Sequence, residues 1–223
     1  MSFTDLIKKK TQAKKEEFDT KASVDDWKDT VPEGYDFDKV VNAPKEPCPR
    51  CEKMILVEEL ESHKSSHSSE VIDGFLFLGG ERNAKNKKEL TTRTNINVIL
   101  CVSGESVEDF PGEFRYHQYL FKDSKEQQIA EHFEEIFAII DEAKGNNERI
   151  LVHCVQGISR SASVVIAYCM KSNEWSLKKS YDFVKSKRKI ISPNVGFIKQ
   201  LQQYEKLLFG TEEPTLTVED VYG

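Results

Sequence analysis

Nine residues of this chain, 153–161, combine the types and spacing that thiolate chemistry on an anion needs; they read His-Cys-Val-Gln-Gly-Ile-Ser-Arg-Ser. An apolar run at 150–152 precedes them and a longer one at 162–170 follows, which predicts a strand, a tight loop and a helix. The backbone N–H groups of a loop that closes onto a helix N-terminus converge on one concavity, which suits an anion with several oxygens. The same field stabilises a thiolate, so we predict that Cys154 is a nucleophile.

The residues around Cys154 add properties that this chemistry requires. Arg160 carries a planar guanidinium that can hold two oxygens of an anion at once. Gly157 permits a tight turn, and Ser161 offers a hydroxyl that can donate to the sulfur and stabilise it as a leaving group. We predict that His153 orients the loop through hydrogen bonds. The residues that we predict to bind the substrate are Val155, Gln156, Gly157, Ile158, Ser159 and Arg160.

The motif His-Cys-x-x-Gly-x-x-Arg-Ser resembles the signature of the Cys-x5-Arg cysteine phosphatases, and Gly-Ile-Ser-Arg-Ser-Ala at 157–162 is similar to the dual-specificity protein phosphatases. Leu-Gly at 78–79 and Asn-Ala at 83–84 also resemble the opening of that family. The resemblance covers about 140 residues. It implies hydrolysis of phosphotyrosine and phosphoserine or phosphothreonine on proteins through a phosphocysteine at Cys154, with no cofactor for catalysis. A structural cysteine with a chance arginine nearby is the alternative.

The resemblance also implies a general acid on a separate loop before the motif. Asp123 directly follows a predicted strand at 114–121 and stands 31 residues before Cys154, close to the spacing of the family. A surface-turn aspartate is the alternative, whereas Asp141 lies within a predicted helix and is a poor rival. Asn194, in Ile-Ser-Pro-Asn, matches a family position that braces the active-site loops.

A second group of chemistry-bearing residues, Cys48, Cys51, His63 and His67, has the pattern Cys-x2-Cys-x11-His-x3-His. Two thiolates on a knuckle and two imidazoles one helical turn apart suit tetrahedral Zn²⁺. The i, i+4 spacing predicts both histidines on one side of a helix. A unit this short cannot fold by apolar burial alone, so the zinc would be structural. Four unrelated residues in a linker are the alternative.

The sequence leaves the role of this zinc module open. Its helix reads Glu-Glu-Leu-Glu at 58–61, which would repel phosphates, so we do not expect it to bind nucleic acid. Cys-Pro-x-Cys with spaced histidines is loosely similar to small protein-binding zinc modules, so it could bind a protein partner or serve a purely structural role. An adaptor acting through this module, with vestigial phosphatase activity, is the alternative function. A rhodanese-like sulfur transferase also uses a loop cysteine, but it requires neither Asp123 nor the Arg160-Ser161 pair.

Apolar strands alternate with amphipathic helices along most of the chain. This predicts an α/β fold with a mainly parallel central sheet flanked by helices and a small N-terminal zinc-bound module. One strand is expected at 71–79 and the central one at 149–152, whose C-terminal end is where such folds bind anions. The predicted domains are a flexible charged arm at 1–45, the zinc module at 46–69, the catalytic domain at 70–209 and a disordered acidic tail at 210–223.

The composition limits the partners and the compartment. The 223 residues carry a formal net charge of -6, which argues against a general nucleic-acid binder. No secretory segment opens the chain, no apolar run approaches membrane-spanning length and residue 2 is Ser, so we expect no membrane association. A thiolate enzyme also needs a reducing compartment, which predicts the cytoplasm, the nucleus or both.

Two further predictions concern the substrate and a second cysteine. The variable loop positions Val155, Gln156 and Ile158 are uncharged, whereas phosphoinositide phosphatases place Lys there, so we expect a phosphoprotein substrate. The resemblance makes a MAP-kinase activation segment one candidate. Cys101 ends a strand expected beside the central one, where some relatives place a cysteine that forms a reversible disulfide with the nucleophile. An ordinary buried cysteine is the alternative.

Overall fold

The computed structural model describes residues 43–104 and 108–223, so the arm predicted at 1–45 lies almost wholly outside the described residues. The strands are β1 (Lys45–Pro47), β2 (Met54–Leu56), β3 (Ser69–Ile72), β4 (Leu76–Gly80), β5 (Val98–Cys101), β6 (Arg115–Gln118) and β7 (Ile150–Cys154). The α-helices are α1 (Leu60–Ser65), α2 (Glu81–Ala84), α3 (Phe133–Gly145), α4 (Arg160–Asn173), α5 (Leu177–Lys187), α6 (Val195–Phe209) and α7 (Val218–Tyr222).

The central sheet has five strands in the order β3-β4-β7-β5-β6. The strands β4, β7, β5 and β6 run parallel, and the edge strand β3 pairs antiparallel with β4. The predicted α/β class with a mainly parallel sheet is therefore confirmed. Every residue of β7 is buried, as expected for a central parallel strand that is covered on both faces.

Alternate residues of the central strands belong to two different apolar clusters, because successive strand side chains point to opposite faces. Leu78, Leu100 and Val152 belong to the larger cluster, together with residues of α3 to α6. The smaller cluster consists of Phe77, Ala84, Leu90, Ile96, Ile99 and Leu151. Residues 161–170 of α4 are all buried, which explains a sequence that is apolar nearly all round. No helix in the described part of the chain is long and apolar enough to cross a membrane.

The single strand predicted at 71–79 is instead a hairpin. Gly74 has a φ of 68° and separates β3 from β4, so the chain reverses within a stretch whose apolar pattern is nearly continuous. The Asp-Gly pair at 73–74 is the turn signal that distinguishes the two cases. The hairpin keeps β4 beside β7, where Gly80 pairs in register with Cys154.

The prediction of a disordered acidic tail at 210–223 is wrong. Leu216 is 1% exposed and belongs to the larger apolar cluster. The helix α7 begins at Thr217, whose side chain and that of Asp220 cap each other's backbone N–H groups. The acidic composition of this segment therefore includes capping residues of a packed helix, and Leu216, with Val218 and Val221, packs the segment against the larger apolar cluster.

Candidate active site and metal-ligand cluster

Cys154 is the last residue of β7, and only 1% of its surface is exposed. Its sulfur accepts hydrogen bonds from the Ser161 hydroxyl at 3.2 Å and from the Gly157 backbone N–H at 3.3 Å. Burial alone would raise the pKa of this thiol. The hydrogen bonds from Ser161 and Gly157 and the charge of Arg160 outweigh burial and lower the pKa below its ordinary value. The loop is therefore built to hold a thiolate.

The loop that follows Cys154 is fixed from the side of the sheet. It turns at Gly157, which has a φ of 70°. A Cβ atom there would lie 2.3 Å from the carbonyl oxygen of Gly79, so a larger residue would have to displace the backbone of β4. His153 is 3% exposed, and its Nδ1 lies 3.3 Å from the Cys154 carbonyl oxygen. This position suits the supporting role predicted for His153.

The side chains of the loop face two ways. Val155 and Gln156 are exposed and Ile158 is partly exposed, which leaves all three accessible to a substrate. Ser159 is 6% exposed, and its hydroxyl donates to Asp123 Oδ1 at 2.7 Å. The side chain of Ser159 therefore holds the carboxylate on the neighbouring loop, and the substrate contact that the sequence predicts for Ser159 stays a prediction.

Arg160 is the first residue of α4 and lies between the two loops. Its Nη1 donates to the Phe121 carbonyl oxygen at 3.0 Å, and its Nε lies 3.5 Å from Asp123 Oδ2. This Nε is buried and has no hydrogen-bond partner within the residues that the structure describes. A buried donor without a partner is costly. An oxyanion bound in the loop would supply the missing acceptor.

Asp123 lies on the loop after β6, and the start of α6 holds this loop in place. Its Oδ1 accepts hydrogen bonds from Ser159 Oγ at 2.7 Å and from Asn194 Nδ2 at 2.8 Å. Asn194 also caps α6 with its side-chain oxygen. The close approach requires Gly196, because a Cβ atom there would lie 2.2 Å from the Lys125 carbonyl oxygen. Asn194 therefore braces the acid loop in the way that the resemblance implies.

The structure brings together the four residues that the sequence predicts to carry the chemistry: Cys154, Arg160, Ser161 and Asp123. Asp123 lies on the loop after β6, Cys154 ends β7, and Arg160 and Ser161 begin α4, so all four lie at the C-terminal edge of the parallel strands. Asp141 instead lies in α3 and accepts a hydrogen bond from the Tyr168 hydroxyl at 2.8 Å. That carboxylate serves helix packing.

One residue of the site, Arg188, is not predicted by the sequence. Its guanidinium is 4% exposed and donates to the carbonyl oxygens of Gly157 at 2.8 Å and Gln156 at 3.2 Å. Burial lowers the pKa of Arg188 to about 10, although the charge of Cys154 acts in the opposite direction. Arg188 stands in the run Lys-Ser-Lys-Arg-Lys at 185–189, which resembles an ordinary solvated basic stretch. No local pattern distinguishes it from its neighbours.

The family model for the dual specificity phosphatase catalytic domain matches residues 76–207, more than half of the chain. The chain belongs to the dual specificity phosphatase family. The matched segment contains the whole candidate active site, whereas the predicted metal ligands at 48–67 lie before it. Because a complete set of catalytic side chains lies inside a matched phosphatase domain, the adaptor alternative is not favoured.

Curated relatives share this phosphatase domain. Protein phosphatase Slingshot homolog 1 from Homo sapiens is 44% identical over 138 residues, which cover 62% of this chain and 13% of the relative. A probable rhodanese domain-containing dual specificity protein phosphatase from Dictyostelium discoideum is 38% identical over 142 residues, which cover 64% of this chain and 30% of the relative. The chain therefore matches less than a third of the length of these two proteins.

Solved structures have the same fold. The human tyrosine phosphatase-like serine/threonine/tyrosine-interacting protein gives a TM-score of 0.59 at 31% identity and covers 64% of this chain and 97% of that chain. A mouse putative dual specificity phosphatase complexed with zinc tungstate also gives a TM-score of 0.59 at 31% identity, with coverage of 64% and 89%. The sheet and helices of this chain therefore form the dual specificity phosphatase fold.

The four predicted metal ligands form one cluster: ligand atoms of Cys48, Cys51, His63 and His67 all lie within 4.8 Å of one another. The two histidine Nε2 atoms are 3.3 Å apart, and the sulfur-to-nitrogen distances are 3.2 and 3.7 Å. A tetrahedral zinc ion with bonds of about 2.0–2.3 Å requires ligand separations of roughly 3.3–3.8 Å. The donor set and its spacing therefore fit zinc. We call these four residues the metal-ligand cluster.

Two local structures place the ligands. Cys48 and Cys51 lie in the turn between β1 and β2, where the Cys48 carbonyl oxygen accepts from the Cys51 N–H at 3.3 Å. His63 lies on α1, but this helix ends at Ser65 and His67 follows in the next turn. The prediction that both histidines lie on one helix is therefore correct only for His63. The two rings still approach to 5.0 Å between centroids.

Residues of the phosphatase domain hold the other side of the His67 ring. Its Nδ1 lies 2.9 Å from Arg93 Nη1 and 3.7 Å from Glu89 Oε2. Glu89 is buried and accepts hydrogen bonds from the Ser68 N–H and hydroxyl. Burial and the charge of Arg93 lower the pKa of His67, which keeps the imidazole neutral, as a metal ligand must be. The Glu89 carboxylate does not hydrogen-bond the ring directly; it pairs with Arg93 at 2.6 Å and so positions the guanidinium that contacts Nδ1.

Proposed function

We propose that this chain is a protein phosphatase that hydrolyses phosphotyrosine and phosphoserine or phosphothreonine on proteins. The main support is the Cys154 sulfur, which accepts two hydrogen bonds and has a lowered pKa beside Arg160. A carboxylate on the second loop, Asp123, lies 3.5 Å from the Arg160 Nε and completes the set. A sulfur transferase would not require Asp123. That alternative leaves a carboxylate unexplained that Ser159 and Asn194 both hold in place.

The reaction consists of two in-line displacements at phosphorus. In the first, the Cys154 thiolate attacks phosphorus, the bond to the ester oxygen breaks and Asp123 gives its proton to that oxygen. Arg160 and the loop N–H groups hold the other phosphoryl oxygens as charge redistributes. In the second, Asp123 takes a proton from a water molecule that attacks the phosphocysteine and releases inorganic phosphate. The Ser161 hydroxyl stabilises the departing thiolate.

We infer the substrate class from the side chains of the same loop and the compartment from its thiolate. The side chains of Val155, Gln156 and Ile158 at its rim are uncharged. The extra phosphates of a phosphoinositide would call for cationic side chains there, so the loop favours phosphoproteins, and a MAP-kinase activation segment is one candidate. A thiolate nucleophile needs reducing surroundings, which favours the cytoplasm, the nucleus or both.

Phosphate release by the purified full chain tests the proposal on two substrates, a doubly phosphorylated Thr-x-Tyr peptide and a phosphoinositide. The wild-type chain should dephosphorylate both residues of the peptide, and Cys154→Ser should not. Cys169→Ala is the matched control, because burial raises the pKa of the Cys169 thiol in α4 to about 12 and leaves it inert. Turnover of the lipid alone would contradict the substrate class. Turnover of neither would contradict a phosphatase.

We also propose that the metal-ligand cluster holds a structural Zn²⁺ that takes no part in the chemistry. Its donor set and its ligand separations favour zinc. The exposed side chains of Met54 and Val57 are where we would expect a protein partner of the module to bind. Metal analysis of the purified chain should find about one zinc per chain. The variant Cys48→Ser should lose that zinc. A full zinc content in this variant would contradict the assignment.

A further inference from the structure

Arg188 lies between the metal-ligand cluster and the active-site loop and contacts both. Its Nε donates to the Gly157 carbonyl oxygen at 2.8 Å, and its Nη2 donates to the Gln156 carbonyl oxygen at 3.2 Å. Its Nη1 donates in the other direction, to the carbonyl oxygens of His67 at 2.9 Å and Ser65 at 3.2 Å. With 4% of its surface exposed, Arg188 is a buried cation whose hydrogen bonds are divided between two regions.

The contacts of Arg188 with the loop affect the backbone N–H groups that would bind the anion. The Gln156 carbonyl and the Gly157 N–H belong to one planar trans peptide unit, in which these two groups point in opposite directions. Arg188 holds the carbonyl from behind, and the N–H at the other end of the unit donates to the Cys154 sulfur at 3.3 Å. By the same geometry, the Gly157 carbonyl sets the direction of the Ile158 N–H. Arg188 therefore directs the amides that meet the anion.

The contacts of Arg188 with the cluster depend on what holds residues 65–67 in place. Ser65 is the last residue of α1, and His67 supplies a metal ligand. Arg188 therefore binds carbonyl oxygens of the segment that the metal would connect to the turn with Cys48 and Cys51. The helix α1 has six residues, of which Leu60 is buried. One buried residue holds a helix of this length only weakly. Most of the order of this segment therefore has to come from the metal. Without metal, the carbonyls that Arg188 binds are free to shift.

A second link joins the same segment to the loop through Asn83. Its Nδ2 donates to the Ser66 carbonyl oxygen at 2.9 Å, and its Oδ1 accepts from the Gly80 N–H at 2.8 Å. The next N–H, that of Glu81, donates to the Val155 carbonyl oxygen at 3.0 Å. This link reaches the loop through several bonds in series. Arg188 spans the same gap with a single guanidinium, which makes it the stiffer connection.

We propose that Arg188 couples the two regions, so that metal in the cluster orders the loop and raises its affinity for a tetrahedral oxyanion. Arg188 is a positioning residue in this scheme, because it acts through the loop backbone and not on the reacting atoms. The inference rests on the proposed function to the extent that it takes the loop as the oxyanion site. It adds that metal loss weakens this site without removing any catalytic group.

Oxyanion binding with and without metal tests the coupling. Tungstate, a tetrahedral oxyanion, is titrated by calorimetry into the zinc-loaded wild-type chain and into the same chain after extraction with a chelator. We expect extraction to weaken tungstate binding about tenfold, within the usual range of coupling between two sites. Hydrogen exchange of residues 161–170 of α4, which are all buried, reports on the same samples whether the phosphatase core stays folded.

The variant Arg188→Lys separates coupling from general stabilisation. Lysine keeps the charge, but one ammonium group cannot bridge four carbonyls on two sides. We expect this variant to keep its zinc, to bind tungstate about tenfold more weakly and to respond less than about twofold to extraction. Arg149→Lys is the matched control, because Arg149 also donates to a backbone carbonyl, that of Thr94 at 3.0 Å, but at the opposite end of β7. It should keep the full response.

Equal weakening by extraction in the wild-type chain and in Arg188→Lys would overturn the proposal, and so would an unchanged wild-type affinity after extraction. If extraction unfolds α4, the zinc-loaded Arg188→Lys chain carries the test. Weaker tungstate binding at full zinc content then supports the coupling, and wild-type affinity overturns it. Failure of the phosphatase function is recognised separately, because it abolishes phosphopeptide turnover while the tungstate titration can still be measured.

Discussion

The active-site loop and the metal-ligand cluster both present cysteine sulfur, but different groups surround it. At Cys154 the neighbours are hydrogen-bond donors and a cation, supplied by Ser161, Gly157 and Arg160. At the cluster Cys48 also has backbone donors beside it, but each sulfur has in addition an imidazole nitrogen, at 3.2 and 3.7 Å from the two sulfurs. Donors stabilise a thiolate and leave its electrons free to attack a substrate. Imidazoles add further lone pairs, which a metal ion can accept together with those of the sulfurs.

A third environment shows what happens when neither kind of neighbour is present. Cys169 lies among apolar residues of α4, and burial raises the pKa of its thiol to about 12. Cys154 is buried almost as completely, yet its pKa is lowered. Burial therefore does not decide the chemistry of a cysteine in this protein. The groups within hydrogen-bond or ligand distance of the sulfur decide it.

Removing the sulfur of the active-site loop is expected to have the largest effect. Cys154→Ser leaves a hydroxyl that the same donors cannot ionise at neutral pH, so phosphopeptide turnover should fall by about 10⁴-fold or more. The corresponding change in the cluster, Cys51→Ser, removes a ligand but no reacting atom, so measurable turnover should remain. Phosphate release in a single-turnover experiment compares the two. Substantial turnover by Cys154→Ser would place the nucleophile elsewhere.

The next effect distinguishes the acid from the nucleophile. Asp123→Asn should slow hydrolysis of a phosphoserine peptide by about 10²–10⁴-fold, because the leaving oxygen then lacks a proton donor. The loss should be smaller with p-nitrophenyl phosphate, whose leaving group needs little protonation. Asp182→Asn is the control, since Asp182 lies on α5 in an exposed ion pair with Lys178 at 2.6 Å. Equal losses on both substrates would argue against an acid role.

A smaller effect tests the cluster through the Glu89 carboxylate beside His67. Glu89→Gln removes the carboxylate charge that pairs with Arg93 beside the ligating imidazole, and the loss of such a supporting group lowers metal affinity by about 10–100-fold. Competition with a chromophoric chelator measures the zinc affinity. Glu61→Gln is the matched control on α1, because this exposed carboxylate pairs with Lys64. Zinc binding that is unchanged in Glu89→Gln would separate Glu89 from the metal site.

The smallest effect sharpens the account of the Cys154 pKa. Ser161→Ala removes a donor to the thiolate, so the pKa of Cys154 should rise and the ascending limb of kcat/KM against pH should move to higher pH. On the acidic side of that limb, kcat/KM should fall about tenfold, because a hydrogen bond to a charged group contributes about 1.5–3 kcal/mol. Ser163→Ala is the control, since Ser163 in the same helix donates to a backbone carbonyl. An unmoved limb would mean that Ser161 does not stabilise the thiolate.

The catalytic loop could be predicted from the sequence because its chemistry is local. Cys154, Gly157, Arg160 and Ser161 lie within one turn between a strand and a helix, so residue type and spacing nearly fix their relative positions. Asp123 could be predicted in a different way, from its position after a strand and from the spacing known for the family. The cluster was predictable for the same reason as the loop, because metal ligands impose a spacing on the chain.

The residues that the sequence did not predict act over long separations. Arg188 binds carbonyls 31 and 121 residues away, and Glu89 lies beside a histidine 22 positions earlier in the chain. Such contacts leave no period or motif in the sequence, because a buried charged residue and a solvated one are the same residue type. The packing of Leu216 was missed for a related reason: three apolar residues, Leu216, Val218 and Val221, spread among acidic and polar ones are too few to show a period.

The packing of the last residues determines which piece of the chain can be produced in the laboratory. A fragment of residues 70–209, the catalytic domain as the sequence bounds it, would leave an unfilled space where Leu216 packs. It would also deprive Arg188 of two of its four carbonyl partners, those of Ser65 and His67. Such a fragment should express poorly and lose activity for reasons of folding alone. A recombinant unit should therefore include at least residues 44–223.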